Sequence, residues 1–218
     1  QMCIRDRVVP GTKYITVGGA IAADIHGKNH HIDGCFSNTL HSFRLMLPDG
    51  SIKKCSQNEN VELYRATCGG MGLTGFILDV KLYLKKINSV NINQTIIKAS
   101  NLQDLYSAFD NNYDLPYSVA WIDCLAKKDQ IGRGIFMGGS FCDDGLLNYK
   151  KKKKINIPFD FPSFFLNKLT VKAFNWFYYS KTLKKVSKSK IHFDNFFFPL
   201  DSITTVSYTH LTLPTIVG

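Results

Sequence analysis

The chain has 218 residues, of which 44% are hydrophobic and 13% aromatic, and this is enough apolar material for a buried core. No uninterrupted apolar run approaches the roughly 20 residues of a membrane-spanning helix. The formal net charge of +10 leaves nucleic acid and anionic membranes open as partners. None of the six cysteines forms a C-x-x-C pair, which argues against a zinc site and favours reduced thiols.

Residues 11–31 combine glycines, alanines and threonines with a cationic, histidine-rich end. Glycine removes Cβ from the surface and permits a close approach of the backbone. Free N–H groups at a turn, or at the start of a helix over 20–25, favour phosphate oxygens. The run therefore predicts an anion-binding loop, although a turn-to-helix junction remains the alternative. Its glycine spacing fits neither the dinucleotide-binding fingerprint nor the phosphate-binding loop of nucleotide hydrolases.

The remaining patterns predict an α+β fold in which strands dominate and helices are interleaved. We expect strands at 42–47 and 51–55, paired as a hairpin through a turn at Pro48-Asp49-Gly50. Further strands are expected at 76–85, 91–98, 118–125, 132–139 and 191–198. Helices are expected at 59–67, at 102–109 behind an Asn101 cap, and as one or two turns within 161–183. The polar, lysine-loaded stretch 142–156 has no periodicity and predicts a mobile loop.

Much of the positive charge is local. Residues 150–154 are five consecutive lysines, for which a solvated loop is the favoured interpretation. A second lysine cluster follows the aromatic stretch 161–179 and comprises Lys181, Lys184, Lys185, Lys188 and Lys190. Basic clusters attract anionic lipid, so 161–190 predicts a role at a membrane surface.

Several motifs carry a family resemblance, in family order over roughly 190 residues. They are GT-x-x-x-TVGGAIA-x-DIHGKNHH at 11–31, Gly34 with Phe36 and Asn38, Glu62-Leu63 with Ala66-Thr67, GG-x-GLTG at 69–75, Ala120-Trp121-x-Asp123 with Gly132-Arg133, and Pro199-Leu200-Asp201. This set resembles the FAD-linked oxidases of the vanillyl-alcohol-oxidase class, which have a PCMH-type FAD-binding domain. Within that class it is most similar to the oxidases of lipid-linked ribose in arabinan precursor synthesis.

The resemblance implies an FAD cofactor and a set of site residues. His26 and Lys28 are the expected catalytic residues, and Lys28, Trp121 and Leu200 the expected substrate pocket. The positions expected to bind FAD are Gly11, Thr12, Thr16, Gly18, Gly19, Ala22, Ala23, His26 and Ile77. His26 and His30 have the i, i+4 spacing of a metal pair, but Gly27 interrupts the helix and no acidic ligand has a fixed spacing, so no metal is expected.

The implied domains are the C-terminal part of an FAD-binding domain at 8–86 and the N-terminal part of an antiparallel-sheet substrate domain at 87–205. Residues 1–7 and 206–218 resemble translated sequencing-adapter read-through, as found at the edges of metagenomic assemblies. We therefore expect a fragment that is itself inactive, with both ends foreign.

The implied activity is oxidation of the C2 hydroxyl of a polyprenyl-phospho-ribose to a 2-keto sugar, which a short-chain dehydrogenase/reductase partner then reduces for cell-wall synthesis. The expected location is cytoplasmic, or peripheral at the inner membrane, without nucleic acid. An aldonolactone oxidase of the D-arabinono-1,4-lactone type is the alternative enzyme. A basic module that binds nucleic acid or membrane is the alternative outside enzymes.

Overall fold

The computed structural model describes residues 4–148, 155–157, 167–201 and 203–205. The chain divides into two compact units, one of Gln1–Val90 with Phe141–Asn148 and one of Asn91–Ser140 with Tyr149–Gly218. Both mix helices with sheets that are mainly antiparallel, which confirms the α+β prediction. The predicted domain boundaries at 8, 86 and 205 stay a prediction.

The first unit is built on a three-stranded antiparallel sheet of order β3-β2-β4 and a two-stranded ladder of β1 and β5. Its strands are β1 (Ile4–Asp6), β2 (Leu40–Met46), β3 (Ile52–Cys55), β4 (Phe76–Leu82) and β5 (Leu84–Lys86). Its helices are α1 (Val17–Ala22), α2 (His30–Asp33) and α3 (Val61–Thr67), with a 3-10 turn at Phe36–Thr39.

The β2–β3 hairpin confirms the turn predicted at Pro48-Asp49-Gly50. Leu47 N–H donates to the Ser51 carbonyl at 2.9 Å, and Gly50 adopts a φ of +82° that favours glycine. From Phe43 to Met46 burial alternates along β2, because Phe43 and Leu45 point into a core that also holds Ile21 and Tyr64. The Phe43 and Tyr64 rings stack at 5.5 Å between centroids.

The second unit carries a four-stranded antiparallel sheet of order β10-β6-β8-β7. Its strands are β6 (Asn91–Ala99), β7 (Tyr117–Ile122), β8 (Gly134–Phe141), β9 (Ile155–Ile157), β10 (Val186–His192) and β11 (Ile203–Thr205). Its helices are α4 (Leu102–Asp110), α5 (Lys168–Lys181) and α6 (Phe193–Phe197), with a 3-10 turn at Lys128–Gln130. Strands β9 and β11 pair in parallel.

Helix α4 closes one face of this sheet, and its predicted cap is confirmed. The Asn101 side chain accepts a hydrogen bond from the Asp104 N–H at 2.8 Å. Leu105 and Ala108 from α4 pack with Ala99 and Phe136 in a buried cluster. The spacing of Leu105 and Ala108 is the three-residue spacing of one helix face.

Three predicted elements need correction. The helix expected at 20–25 begins three residues earlier at Val17, because the Thr16 side chain caps it. The single strand expected at 76–85 is interrupted at Tyr83. The strand expected at 191–198 is wrong beyond His192, whose Nδ1 accepts from the Asp194 N–H at 3.2 Å and starts helix α6.

The loop predicted at 142–156 is correct only in part. Residues 142–148 contain neither helix nor strand, whereas Ile155–Ile157 forms β9. The lysines at 150–154 lie outside the described residues. Helix α5 has 14 residues, so it is longer than the one or two helical turns predicted within 161–183. Residues 161–166 lie outside the described part of the chain.

Candidate functional site

The start of α1 presents backbone N–H groups, as predicted for the TVGG run. Thr16 Oγ1 accepts from the Gly19 N–H at 3.0 Å, and the Ala20 N–H donates to the Thr16 carbonyl at 2.9 Å. The first N–H groups of a helix have no acceptor within the helix, so the N–H groups of Val17 and Gly18 point outward from the start of α1. An anion fits such a helix start.

Two glycines leave this surface without side chains. A Cβ built on Gly11 or on Gly18 would meet no atom within 4 Å. Thr16 and Gly19 are exposed, and Thr12 is half-buried with its hydroxyl accepting from the Tyr14 N–H at 3.3 Å. The residues present therefore fit a bulky anionic group such as the diphosphate of FAD, which needs close approach to main chain.

The second glycine motif, GG-x-GLTG at 69–75, is hydrogen-bonded to the end of α1. The Gly69 N–H donates to the Ile21 carbonyl at 3.0 Å, and the Met71 N–H donates to the Ala22 carbonyl at 2.8 Å. Gly69 has a φ of +81°, which favours glycine there. The structure thus brings the two glycine motifs together, with Ala22 half-buried and Ala23 exposed beside their junction.

Ile77 follows this second motif on β4. Its backbone pairs with Leu45 of β2, and its half-buried side chain packs against the core of the first unit. Among the described strands β4 is an edge of its sheet, so its other side keeps backbone groups available to a ligand. The cofactor role of Ile77 stays a prediction.

The predicted catalytic segment is held by two residues whose importance the sequence did not reveal. Asn29 is fully buried, and its Nδ2 donates to the Arg7 carbonyl at 2.7 Å and to Asp33 Oδ2 at 2.6 Å. Gly27 lies against the Val9 backbone, since a Cβ there would come within 2.6 Å of the Val9 carbonyl oxygen. Between them these two residues fix the backbone on both sides of Lys28.

His26 and Lys28 lie on the two sides of Gly27. His26 is exposed, forms an isolated antiparallel bridge with Cys35, and its ring centroid is 5.7 Å from that of His30. Lys28 is half-buried. Position and exposure allow His26 to exchange a proton with a ligand, and its catalytic role stays a prediction.

Asp24 is a further residue that sequence reasoning missed. It has a φ of +40°, and its carboxylate accepts from the Ser37 N–H at 2.8 Å and from the Ser37 hydroxyl at 3.0 Å. These bonds fasten the turn after α1. Asp tolerates this left-handed backbone conformation better than most residues, so an aspartate at position 24 fits the turn.

The neighbouring thiols are poor nucleophiles. Burial, reinforced by the charge of Asp24, raises the pKa of Cys68 to about 11 and also raises the pKa of Cys35. Burial likewise raises the pKa of Cys55. These thiols stay protonated near neutral pH, and none of the five described cysteines is paired in a disulfide.

In the second unit, the predicted substrate residues differ in burial. Trp121 is half-buried on β7, with its ring centroid 4.9 Å from that of Tyr178 on α5. Leu200 is 76% exposed. Packing against Tyr178 already explains part of the burial of the Trp121 side chain, so its contact with substrate stays a prediction.

A buried ionic network adjoins Trp121. Asp123 is 3% exposed, and Arg133 donates to its Oδ2 through Nε at 2.9 Å and through Nη2 at 2.7 Å. Asn175 Nδ2 donates to Asp123 Oδ1 at 2.6 Å, and the Leu125 N–H donates to the same oxygen at 3.0 Å. Burial alone would raise the pKa of Asp123, but these donors outweigh it and lower the pKa.

A separate cavity of about 360 Å³ in the first unit contains none of the predicted site residues. It is lined by Arg7, Asn38, Leu40, His41, Ser42, Lys54, Ser56, Gln57, Asn58 and Tyr83. Within the described part of the chain, no three His, Cys, Asp or Glu residues are grouped as metal ligands would be. No helix among the described residues combines the length and apolarity needed to cross a bilayer.

Comparison with known proteins identifies an FAD-binding segment. Residues 6–56 match the family described as FAD binding domain, and this segment contains α1 and the DIHGKNHH run. This match identifies an FAD-binding segment in the chain, and FAD is its cofactor. The predicted cofactor is therefore confirmed.

Among its relatives, the chain is 30% identical over 206 residues to decaprenylphosphoryl-beta-D-ribose oxidase of Mycolicibacterium smegmatis, covering 89% of this chain and 45% of that protein. It is 37% identical over 128 residues to an uncharacterized protein in the mprA 5' region of Streptomyces coelicolor, covering 58% and 34%. A shorter match of 31% over 75 residues joins it to human delta(24)-sterol reductase, covering 34% and 14%. The chain thus spans less than half the length of these relatives.

Proposed function

We propose that the protein carrying this chain is an FAD-dependent oxidoreductase that oxidises the C2 hydroxyl of a polyprenyl-phospho-ribose to the 2-keto sugar. The observation that carries the proposal is the similarity to decaprenylphosphoryl-beta-D-ribose oxidase, which extends over 89% of the chain rather than over the FAD-binding segment alone. The matches to a sterol reductase and to a cytokinin dehydrogenase each cover about a third of the chain.

The first unit supplies the cofactor contacts in this proposal. Gly18 and Gly19 at the start of α1, with Gly11 and Thr12 before it, hold the diphosphate through main-chain N–H groups. FAD, when bound, supplies the acceptor for the hydride that leaves C2 of the sugar. Ala22 and Ala23 keep the surface between the two glycine motifs low enough for a planar ring system to approach.

His26 and Lys28 act on the substrate. The exposed imidazole of His26 takes the proton of the C2 hydroxyl, directly or through one water molecule. The ammonium group of Lys28 stabilises negative charge, either on the substrate phosphate or on the oxygen that develops charge. Trp121 and Leu200 contribute apolar surface for the sugar and its lipid. A short-chain dehydrogenase/reductase partner would consume the 2-keto product.

The test uses the purified gene product that carries this chain, loaded with FAD and kept anaerobic. Polyprenyl-phosphoribose is added first and D-arabinono-1,4-lactone in a parallel sample, while flavin absorbance is followed. Bleaching by the lipid-linked sugar alone supports the proposal. Bleaching by the lactone alone would identify an aldonolactone oxidase instead, and a protein that binds no flavin would refute both enzymes.

Two variants assign the residues. His26→Gln and Lys28→Met should each slow bleaching by roughly 100-fold, within the usual range for a positioned acid, base or charge. Lys53→Met, on the exposed strand β3, is the matched control and should leave the rate unchanged. Wild-type rates in both site variants, with FAD still bound, would remove His26 and Lys28 from the mechanism.

A further inference from the structure

Helix α5 presents polar contacts to its own unit. Asn175 is 8% exposed and bonds to Asp123, while the Tyr179 hydroxyl donates to the Ala99 carbonyl at 3.1 Å. Lys98 Nζ lies 4.3 Å and the Arg133 guanidinium 5.0 Å from the centre of the Tyr179 ring. Asn175 and Tyr179 are four residues apart, so they lie on one side of the helix.

The opposite side of α5 is apolar and exposed. We call Leu169, Ala173, Trp176 and Phe177 the α5 outer face, and their i, i+4, i+7, i+8 spacing is that of a single helix stripe. Leu169 is 76% exposed, Trp176 is 63% exposed and Phe177 is 62% exposed. The helix thus reverses the usual arrangement, with polar groups turned inward and large apolar groups turned outward.

The charges in the chain segment that carries this face have one sign. Between positions 168 and 190 there is no Asp or Glu. The lysines in this interval are Lys168, Lys172, Lys181, Lys184, Lys185, Lys188 and Lys190. Lys168, Lys172 and Lys181 belong to α5 itself, and long lysine side chains can carry their ammonium groups outward past an apolar surface.

We propose that the α5 outer face docks on the surface of an anionic lipid bilayer. The 14-residue helix is about 21 Å long, which is too short to span a bilayer but suits a helix lying in its interface. Trp176 and Phe177 enter the boundary between headgroups and acyl chains, where aromatic rings are favoured. The flanking ammonium groups contact lipid phosphates, and no Asp or Glu within 168–190 repels them.

A bilayer fits these observations better than a second copy of the chain. Two copies joined through this face would bring two sets of lysines together without any acidic residue from 168–190 to offset them. Like charges at close range oppose such a dimer, whereas an anionic headgroup layer attracts both sets. The proposal does not depend on the identity of the sugar substrate, and its test does not use catalysis.

The experiment is flotation of the FAD-loaded gene product with two kinds of phosphatidylcholine vesicle. One kind contains roughly 30% phosphatidylglycerol, which gives its surface a strong negative potential, and the other contains none. Trp176→Ala with Phe177→Ala should lower the bound fraction on anionic vesicles about tenfold. Lys184→Gln with Lys185→Gln should do the same at low salt. The matched control is Tyr106→Ala with Tyr113→Ala, which removes two aromatic side chains of 59% and 61% exposure from elsewhere in the same unit.

Brominated acyl chains give a second readout. The part of the wild-type fluorescence quenching that disappears in Trp176→Phe is due to Trp176, so its loss would place Trp176 in the bilayer. Equal flotation of all variants, or quenching that is undiminished in Trp176→Phe, would overturn the proposal. A concentration-dependent dimer that Trp176→Ala with Phe177→Ala abolishes, in a protein that ignores both kinds of vesicle, would overturn it in favour of a second copy.

Discussion

The two units form their candidate functional regions from different chemical groups. In the first unit the surface is main chain, exposed because Gly11 and Gly18 have open space where a Cβ would stand. In the second unit the comparable region is made of side chains, with Asp123 held by Arg133 and Asn175. A main-chain surface can contact a ligand without using side chains, whereas a side-chain network depends on the identity of each of its members.

The two regions are also held together by different interactions. The glycine surface depends on hydrogen bonds between neighbouring backbone segments, such as Gly69 to Ile21 and Met71 to Ala22. The Asp123 network depends on ionised groups that are almost fully withdrawn from water. Removing one member of a buried ion pair leaves the other charge uncompensated. A main-chain surface, by contrast, tolerates a small added side chain unless a ligand must approach it.

The largest effect is therefore expected at Asp123. Asp123→Asn should lower the free energy of unfolding by about 3–5 kcal/mol, because Arg133 loses its buried counter-charge. Urea unfolding of the gene product that carries this chain measures the change. Asp129→Asn, at an exposed carboxylate in the same unit, is the control and should change stability by less than about 0.5 kcal/mol. A similar loss in both variants would show that the network is no stronger than an ordinary surface charge.

This contrast explains what could be predicted from sequence. The β2–β3 hairpin and the Asn101 cap are local patterns, and nearby hydrogen bonds confirm both predictions. The glycine motifs are local patterns too, and their role in binding an anion stays a prediction. The Asp123 network joins residues separated by 10 and 52 positions, so no local pattern indicates that they meet. Asn29 was likewise hidden, because its partner Arg7 lies 22 positions away.

The wrong strand at 191–198 has the same origin. Its aromatic residues have high strand propensity, and that preference favoured one continuous strand. A single side-chain acceptor on His192 ends the strand and starts α6, whose Phe196 and Phe197 then pack near Tyr117, with the Phe197 ring 4.9 Å from it. Tertiary packing thus overrode local propensity.

The next effect compares two glycines of the first unit. Gly27→Ala should destabilise the fold by about 1–3 kcal/mol, since the new Cβ would meet the Val9 backbone. Gly18→Ala should raise stability by up to about 1 kcal/mol, because alanine suits a helix and meets no atom there. The same Gly18 variant should bind FAD about tenfold more weakly, as its methyl group enters the cofactor surface.

Thermal unfolding and FAD titration together check this pair. A Gly18→Ala protein that is more stable and yet loses FAD affinity can be explained only by contact with the ligand. If Gly18→Ala binds FAD with wild-type affinity, the open space at Gly18 is not where the cofactor approaches, and the glycine is then an ordinary helix residue.

A smaller change is expected at the α1 cap. Thr16→Ala removes the acceptor for the Gly19 N–H and should cost about 1 kcal/mol of unfolding free energy. Thr16→Ser keeps the oxygen and should stay close to wild type. Chemical denaturation of both variants decides the matter, and equal losses would mean that the threonine methyl group, rather than the hydrogen bond, stabilises the helix start.

The last prediction concerns the protonation of Asp123 in the wild-type protein. This protonation has the smallest effect on stability at neutral pH, and its effect grows as the pH falls. Its pKa is lowered in the folded state, so the stabilisation it gives is fully present above the unfolded pKa of about 3.9 and is lost as pH falls through the lower folded value. Exposed Asp49 and Asp79 also have lowered pKa values, and they contribute the same pH dependence of stability to wild type and to Asp123→Asn.

The stability difference between the two proteins should therefore be constant from pH 7 to about 5 and should shrink below about pH 4. Urea midpoints measured at each pH would show this convergence, and a difference that stays constant at low pH would mean that the network stabilises the second unit through its neutral hydrogen bonds rather than through the charge of Asp123.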